Sequence, residues 1–336
     1  MRTATVNLPL AAALAVLALA PAACDAGPAP GDGASAGAAA PATSAQPAPS
    51  FDAQWAAREA EVMAPFQRDA DDALAADVKA RIDDARKRFG AKVPVRVLAG
   101  RFVLVGVDPR APFDAAADLA ARALDVFARR FFARLPDRAV SVYLAGSHDR
   151  YATLCDRVVA AGCWTESGSL GIYDRPTRSI VVNLGPGLPS LLHEIVHPLV
   201  QTDFVWAPLW LDEGIAALFE QPVFSPPGEL HGATNWRRAD LTRALASPSR
   251  RAEVRPSALF AMSNDDFDRD DELHYALARF VCQWLDERGQ LWPFYRAWRD
   301  SFAEDPSGEK TFARVTGLTP TQADGVWLEW FRALGK

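Results

Sequence analysis

The sequence predicts an α+β fold, mainly helical, with a small sheet beside one central helix. Three observations carry this. Long stretches repeat apolar residues at helical spacing, as in Leu119, Ala123, Phe127 and Phe131. Short runs rich in Val, Ile and Phe, bounded by Gly, Pro and Asp, fall between residues 93 and 183. The stretch from Leu191 to Val200 is apolar almost all round, which marks a buried helix, yet it contains two histidines and a glutamate.

The chain opens with Arg2, an apolar run from Leu8 to Ala20, and the small residues Pro21-Ala22-Ala23 before Cys24. This pattern reads as an export segment, too short and Ala-rich to span a membrane. The approach to Cys24 resembles a bacterial lipoprotein signal, which implies lipidation of Cys24 and residence in the bacterial cell envelope on the extracytoplasmic side. Pro21 departs from the larger aliphatic residue usual in such signals, and ordinary cleavage after a small residue is the alternative. Residues 25–50 are almost wholly Ala, Pro, Gly, Ser and Thr, too polar and small to offset ordering entropy, and read as a disordered tether. Its root-mean-square reach is about 30 Å. Residues 51–336 then form the folded part, with a helical and hairpin portion over 51–135 and a core over 139–330. A net charge of −6 and the lack of any basic tract exclude non-specific attraction to nucleic acid. Contact with a membrane is expected only through the anchor.

In order from Phe51, the periodicity predicts a helix to Phe89, broken at Pro65 and stopped by Gly90. Val93–Leu98 and Arg101–Val107 form a hairpin around Ala99-Gly100. A helix over Asp114–Leu135, a strand over Ala139–Leu144 and a helix from about Asp149 follow. Cys155 and Cys163 would lie in an oxidising compartment, where a disulfide is expected. On one helix their Cα atoms would be about 12 Å apart, so pairing requires the chain to turn back near Gly162. Cys282, within an apolar helical pattern, reads as an inert buried thiol.

Gly171–Tyr173, a turn at Asp174–Thr177 and a strand over Ser179–Asn183 make a second hairpin, leading directly into the apolar helix. The strand with Ile180, Val181, Val182 and Asn183 reads either as an ordinary edge strand or as an edge that binds an extended peptide by continuing its hydrogen-bond ladder. Trp210–Glu220 is a further helix, and the chain from Asp240 onward is mostly helical. Its aromatic residues, Trp284, Trp298 and Trp327 among them, fall at helical spacing and read as core.

His193-Glu194-Ile195-Val196-His197 carries the chemistry. Residues four apart lie on one helix face, so both imidazoles can reach a single ion. Zinc accepts imidazole nitrogen, and a catalytic zinc keeps three protein ligands with one position left for water. Glu194, turned about 100° from His193, can take a proton from that water. Pro198 removes the backbone bond to the Glu194 carbonyl and predicts a kink or a tightened turn. For the third ligand the acidic residues downstream are Asp203, Asp212, Glu213 and Glu220.

Together His193-Glu194-x-x-His197 and Trp210-Leu211-Asp212-Glu213-Gly214 resemble the paired motifs of the gluzincin zinc metallopeptidases, which include thermolysin-like and aminopeptidase N-like enzymes. The fifteen residues between His197 and Glu213 are similar to the spacing in bacterial MA-like peptidase domains. The resemblance implies a thermolysin-like domain, one Zn2+ held by His193, His197 and Glu213, and Glu194 as general base. It also implies an oxyanion donor from the helix His274–Leu285: Tyr275 by position, with His274 as the close rival. Glu220, two turns after Glu213, would orient a ligand from behind, or stand as a solvated carboxylate at a helix end. No strand like the amine-holding one of the aminopeptidases is present. Two functions stay open: a peptidase acting on a peptide or protein substrate, and a non-catalytic zinc-containing envelope lipoprotein acting in binding or assembly.

Overall fold

Five strands form one mixed sheet in the computed structural model, which describes residues 51–159 and 170–334. They are β1 (Val95–Leu98), β2 (Phe102–Val105), β3 (Val140–Ala145), β4 (Gly171–Asp174) and β5 (Ser179–Asn183), in the order β1-β2-β3-β5-β4. The two outer pairs are antiparallel hairpins, and the inner pairs β2–β3 and β3–β5 are parallel. In the first hairpin Ala99 and Gly100 turn the chain with φ of 47° and 67°, a region that glycine enters without cost. Parallel neighbours need crossovers, and α2 (Phe113–Val126) supplies the one from β2 to β3.

Side chains alternate across the sheet with period two. Phe102, Leu104, Val142, Leu144, Ile180 and Val182 face the main core. Val103, Val105, Tyr143, Ala145 and Val181 face a second cluster, with Ala85 of α1 (Phe51–Phe89) and Leu154 of α3 (His148–Val158). Because both faces are covered, the strands are almost entirely apolar. The expectation of an edge at Ser179–Asn183 is therefore corrected. β5, with Ile180, Val181, Val182 and Asn183, is paired on both sides, and the edge is β4.

Two helices differ from expectation. α1 runs through Pro65 without a break; a proline removes one bond from the ladder, and a 39-residue helix has others on either side to hold its course. The helix expected to reach Leu135 ends four residues earlier, in a π-helical turn over Phe127–Phe131. That turn puts Phe127 and Phe131 against Phe219. Cys155 is disulfide-bonded. Its expected partner Cys163 lies outside the described residues, as do Cys24 and the expected export segment and tether.

The remaining elements are α4 (Pro189–Asp203), α5 (Leu209–Leu218), the small hairpin β6 (Pro222–Val223) and β7 (His231–Gly232), α6 (Arg238–Ala246), α7 (Pro256–Ala261), α8 (Asn264–Phe267), α9 (Asp271–Glu287), α10 (Leu291–Asp300), α11 (Glu309–Thr316) and α12 (Pro320–Ala333). The fold is thus a mixture of helix and sheet, with helices predominating. From Ala57 onward the chain is one compact unit. Trp284, Trp298 and Trp327 are fully buried, as their spacing implied. α5 packs on α9 through Gly214, where a Cβ would stand 2.8 Å from Cys282 Sγ and 2.9 Å from the Ala278 carbonyl oxygen. Cys282 is a free, buried thiol, and burial raises its pKa.

The end of α4 is tied to distant parts of the chain by Asp203, which is fully buried. Its carboxylate accepts from the Arg134 backbone N–H at 2.8 Å and from Arg299 Nη1 at 2.7 Å. No helix among the described residues is long and apolar enough to cross a membrane.

Candidate metal centre

Apolar residues on nearly every side sink α4 into the core, and Pro189 near its start suits a position where the backbone N–H is not needed. His193, Glu194 and His197 are consequently buried. Their ligand atoms lie within 4.8 Å of one another, and this group can hold a metal ion. The two rings are 5.0 Å apart between centroids. α4 stays helical across Pro198, which offers no N–H to the Glu194 carbonyl.

α5 crosses below the histidines. Glu213 Oε2 is 3.2 Å from His193 Nε2, and Oε1 is 3.9 Å from His197 Nε2. One residue earlier, Asp212 Oδ1 meets His197 Nδ1 at 2.9 Å, while its Oδ2 accepts from Gln201 Nε2 at 3.3 Å. The close α5–α9 approach at Gly214 brings Tyr275 of α9 to Glu213, whose carboxylate interacts with the tyrosine hydroxyl.

Glu220 lies just past the end of α5 and faces His193 from behind, with Oε1 3.3 Å from Nδ1. It is held by Arg237, which donates from Nε at 2.9 Å and Nη2 at 2.7 Å, and by Asn235 Nδ2 at 2.8 Å. So each imidazole has a carboxylate at its Nδ1 side: Asp212 for His197 and Glu220 for His193. Such partners favour the Nδ1–H tautomer and leave Nε2 as the free donor to a metal. Both Nε2 atoms face Glu213.

Charge in this site is strongly unbalanced. Glu194, Asp212, Glu213 and Glu220 surround the two imidazoles, and Arg237 offsets chiefly Glu220. Burial works against protonating His193, but Glu213 and Glu220 outweigh it and raise its pKa well above the usual value. Burial likewise opposes Asp212 and Glu213 at His197, which is pushed up to about 9. Glu220 falls to about 2, because His193 and Arg237 overcome the opposing effect of burial. Burial raises Glu194. The field asks for positive charge at the point where the imidazoles and Glu213 meet.

Hydrogen bonding points the same way. His193 Nδ1 and Glu213 Oε2 are buried without a hydrogen-bond partner. Their nearest charged neighbours are within ion-pair range, but not aligned for a hydrogen bond. Buried polar atoms left in this state need an explanation. A divalent cation held by His193, His197 and Glu213 would supply one for Glu213 Oε2, and a two-imidazole, one-carboxylate donor set suits such an ion.

The cluster opens into a cleft of about 580 Å³. One wall is edge strand β4, with Gly171, Ile172 and Tyr173; Trp236, half-exposed, stands on the rim with Glu272. Of the residues singled out by sequence, the structure brings His193, Glu194, His197, Glu213, Glu220 and Tyr275 together here. It does not bring His274. Neighbouring helical residues point about 100° apart, and His274 is buried the other way, with Nδ1 2.8 Å from the Phe267 carbonyl. Ile180, Val181, Val182 and Asn183 are also absent from the cleft lining. Sequence reasoning gave no role to Arg237, Asn235, Trp236 or Gly171. Asp212 stood only among the possible ligands; its place beside Glu213 in Trp-Leu-Asp-Glu-Gly was the one available clue to its position. The chain matches no protein-family model, and a search of curated proteins finds no match.

Proposed function

We propose that the protein is a zinc-dependent peptidase that hydrolyses peptide bonds outside the cytoplasm. One observation carries the proposal: His193, His197 and Glu213 converge in a cleft, each imidazole backed by its own carboxylate, with Glu194 alongside. His193, His197 and Glu213 would hold the zinc, completing a gluzincin-like site. When bound, zinc supplies a Lewis acid that lowers the pKa of a water and polarises a carbonyl. Glu194, whose affinity for protons is raised by burial, accepts the water's proton and returns it to the leaving amine. Tyr275 donates to the developing oxyanion, a contribution on the order of 3 kcal/mol for one such donor. Asp212 holds the His197 imidazole in one tautomer by its hydrogen bond, and Glu220 sets the charge behind His193. Edge strand β4 takes the place proposed for β5: an extended peptide lies along it, with a side chain against Trp236.

The test pairs metal content with hydrolysis. Purified protein should carry one zinc per chain, and Glu194→Gln should keep the metal while losing hydrolysis of a peptide library. Wild-type protein that takes up no zinc under metal-replete conditions would sink the reading. Zinc-loaded wild type without hydrolysis would leave the binding or assembly role.

A further inference from the structure

Gly171 sits on β4 opposite Val182, and its missing side chain bears directly on Glu194. A Cβ built there would lie 2.5 Å from both Cγ and Oε1 of Glu194 and 2.8 Å from Cδ. Ordinary carbon contacts need about 3.5–4.0 Å. All three atoms belong to one carboxylate side chain, so this glycine is a specific vacancy for Glu194. Gly171 is absent from the positive-φ residues. Its backbone conformation is therefore open to any residue, and chain flexibility does not account for glycine at this position.

We propose that Gly171 is a positioning residue for Glu194. The carboxylate lies against the edge strand because the strand has no side chain there. The strand that borders the cleft thus also sets where the general base stands, and a substrate laid along β4 is placed relative to Glu194 by one residue. This rests on the peptidase reading for its catalytic consequence, though the positional claim does not.

The experiment compares zinc-loaded, full-length wild type, Gly171→Ala, Glu194→Ala and Gly171→Ala/Glu194→Ala. Gly171→Ala should keep one zinc and its unfolding temperature, leave KM nearly unchanged and lower kcat about 100-fold, the scale for a reacting group misplaced by an ångström. Alanine at 194 removes Cγ, Cδ and Oε1, the three atoms the added Cβ would meet. In the Glu194→Ala background Gly171→Ala should therefore cost at most a few-fold of the residual rate, by the coupling expected of residues in contact. An equal loss in both backgrounds would mark a merely structural role and overturn the proposal. Crystal structures of the zinc-loaded variants read the claim without activity. The Glu194 carboxylate should be displaced in Gly171→Ala, and an undisplaced carboxylate refutes the proposal. If wild type shows no hydrolysis, the peptidase reading fails, while the crystallographic outcome still decides the role of Gly171.

Discussion

Gly214 gives a substitution whose sign is worth predicting. In an exposed helix, Gly→Ala stabilises by about 1 kcal/mol through backbone entropy. In α5 the added Cβ would meet Cys282 Sγ at 2.8 Å, the Ala278 carbonyl oxygen at 2.9 Å and its carbon at 3.0 Å. Two of these three atoms are α9 backbone, so rotating a side chain cannot relieve the clash and the helices must part. Overpacking of this kind costs about 1–3 kcal/mol. Set against the propensity gain, the net effect should be a loss of about 1–2 kcal/mol, since the backbone contacts put the cost in the upper part of its range. For domains of this order of size, each kcal/mol shifts the melting temperature by roughly 2–4 °C. Gly325 is the control: it lies in α12 with nothing within 4 Å of a built Cβ. Calorimetric melts should show Gly214→Ala unfolding below wild type and Gly325→Ala at or above it. If both variants melt higher by the same amount, the close approach of α5 and α9 is wrong.

Three further outcomes follow from other contacts. Asp212→Asn should weaken zinc binding about 10–100-fold, the usual effect of losing a histidine's outer partner, measured by competition with a chelator. Arg299→Ala removes the closer of the two arginines paired with the buried Asp203 carboxylate, Arg134 remaining at 3.8 Å, and should cost about 1–3 kcal/mol in denaturant unfolding. Asp77 lies below its usual pKa of 3.8: burial opposes the shift, but the Arg138 hydrogen bond, the Ala139 N–H and the charge of Arg178 outweigh it. A depressed folded-state value stabilises the fold above 3.8 and loses that contribution as pH falls through the folded value. Asp77→Asn should thus cost about 1–3 kcal/mol at neutral pH, and its stability should fall less steeply than wild type's in acid.

What was legible in the sequence was local. The paired imidazoles of α4 are set by spacing within one helix, so period and residue type suffice; the carboxylate of α5 was one of four acidic candidates by sequence, and only the resemblance to the paired gluzincin motifs singled out Glu213. The edge of the sheet was not local, because it depends on which strands pair across the chain. A clue did exist: Ile180-Val181-Val182 is apolar on successive residues, as a strand covered on both faces must be, whereas an edge strand with one open face alternates. Tyr275 and His274 could not be separated by sequence, since adjacent positions differ only in helix rotation, which tertiary packing sets. Arg237 and Asn235 come from a connection without periodicity. Their role exists only because that connection passes Glu220. Gly171 was invisible for a related reason: a glycine's purpose depends on the neighbour it leaves room for.

The Asp203 anchor has a consequence for the order in which the protein is made. A nascent chain that has emerged as far as α9 already holds both histidines, Glu194, Glu213 and Tyr275, but Arg299 has not yet followed. Until it does, the carboxylate at the end of α4 has only Arg134 beside it, through its backbone N–H at 2.8 Å and an ion pair at 3.8 Å, and the helix of the histidines lacks its closer anchor. A chain cut short before α10 would contain every residue of the site with that carboxylate held from one side only.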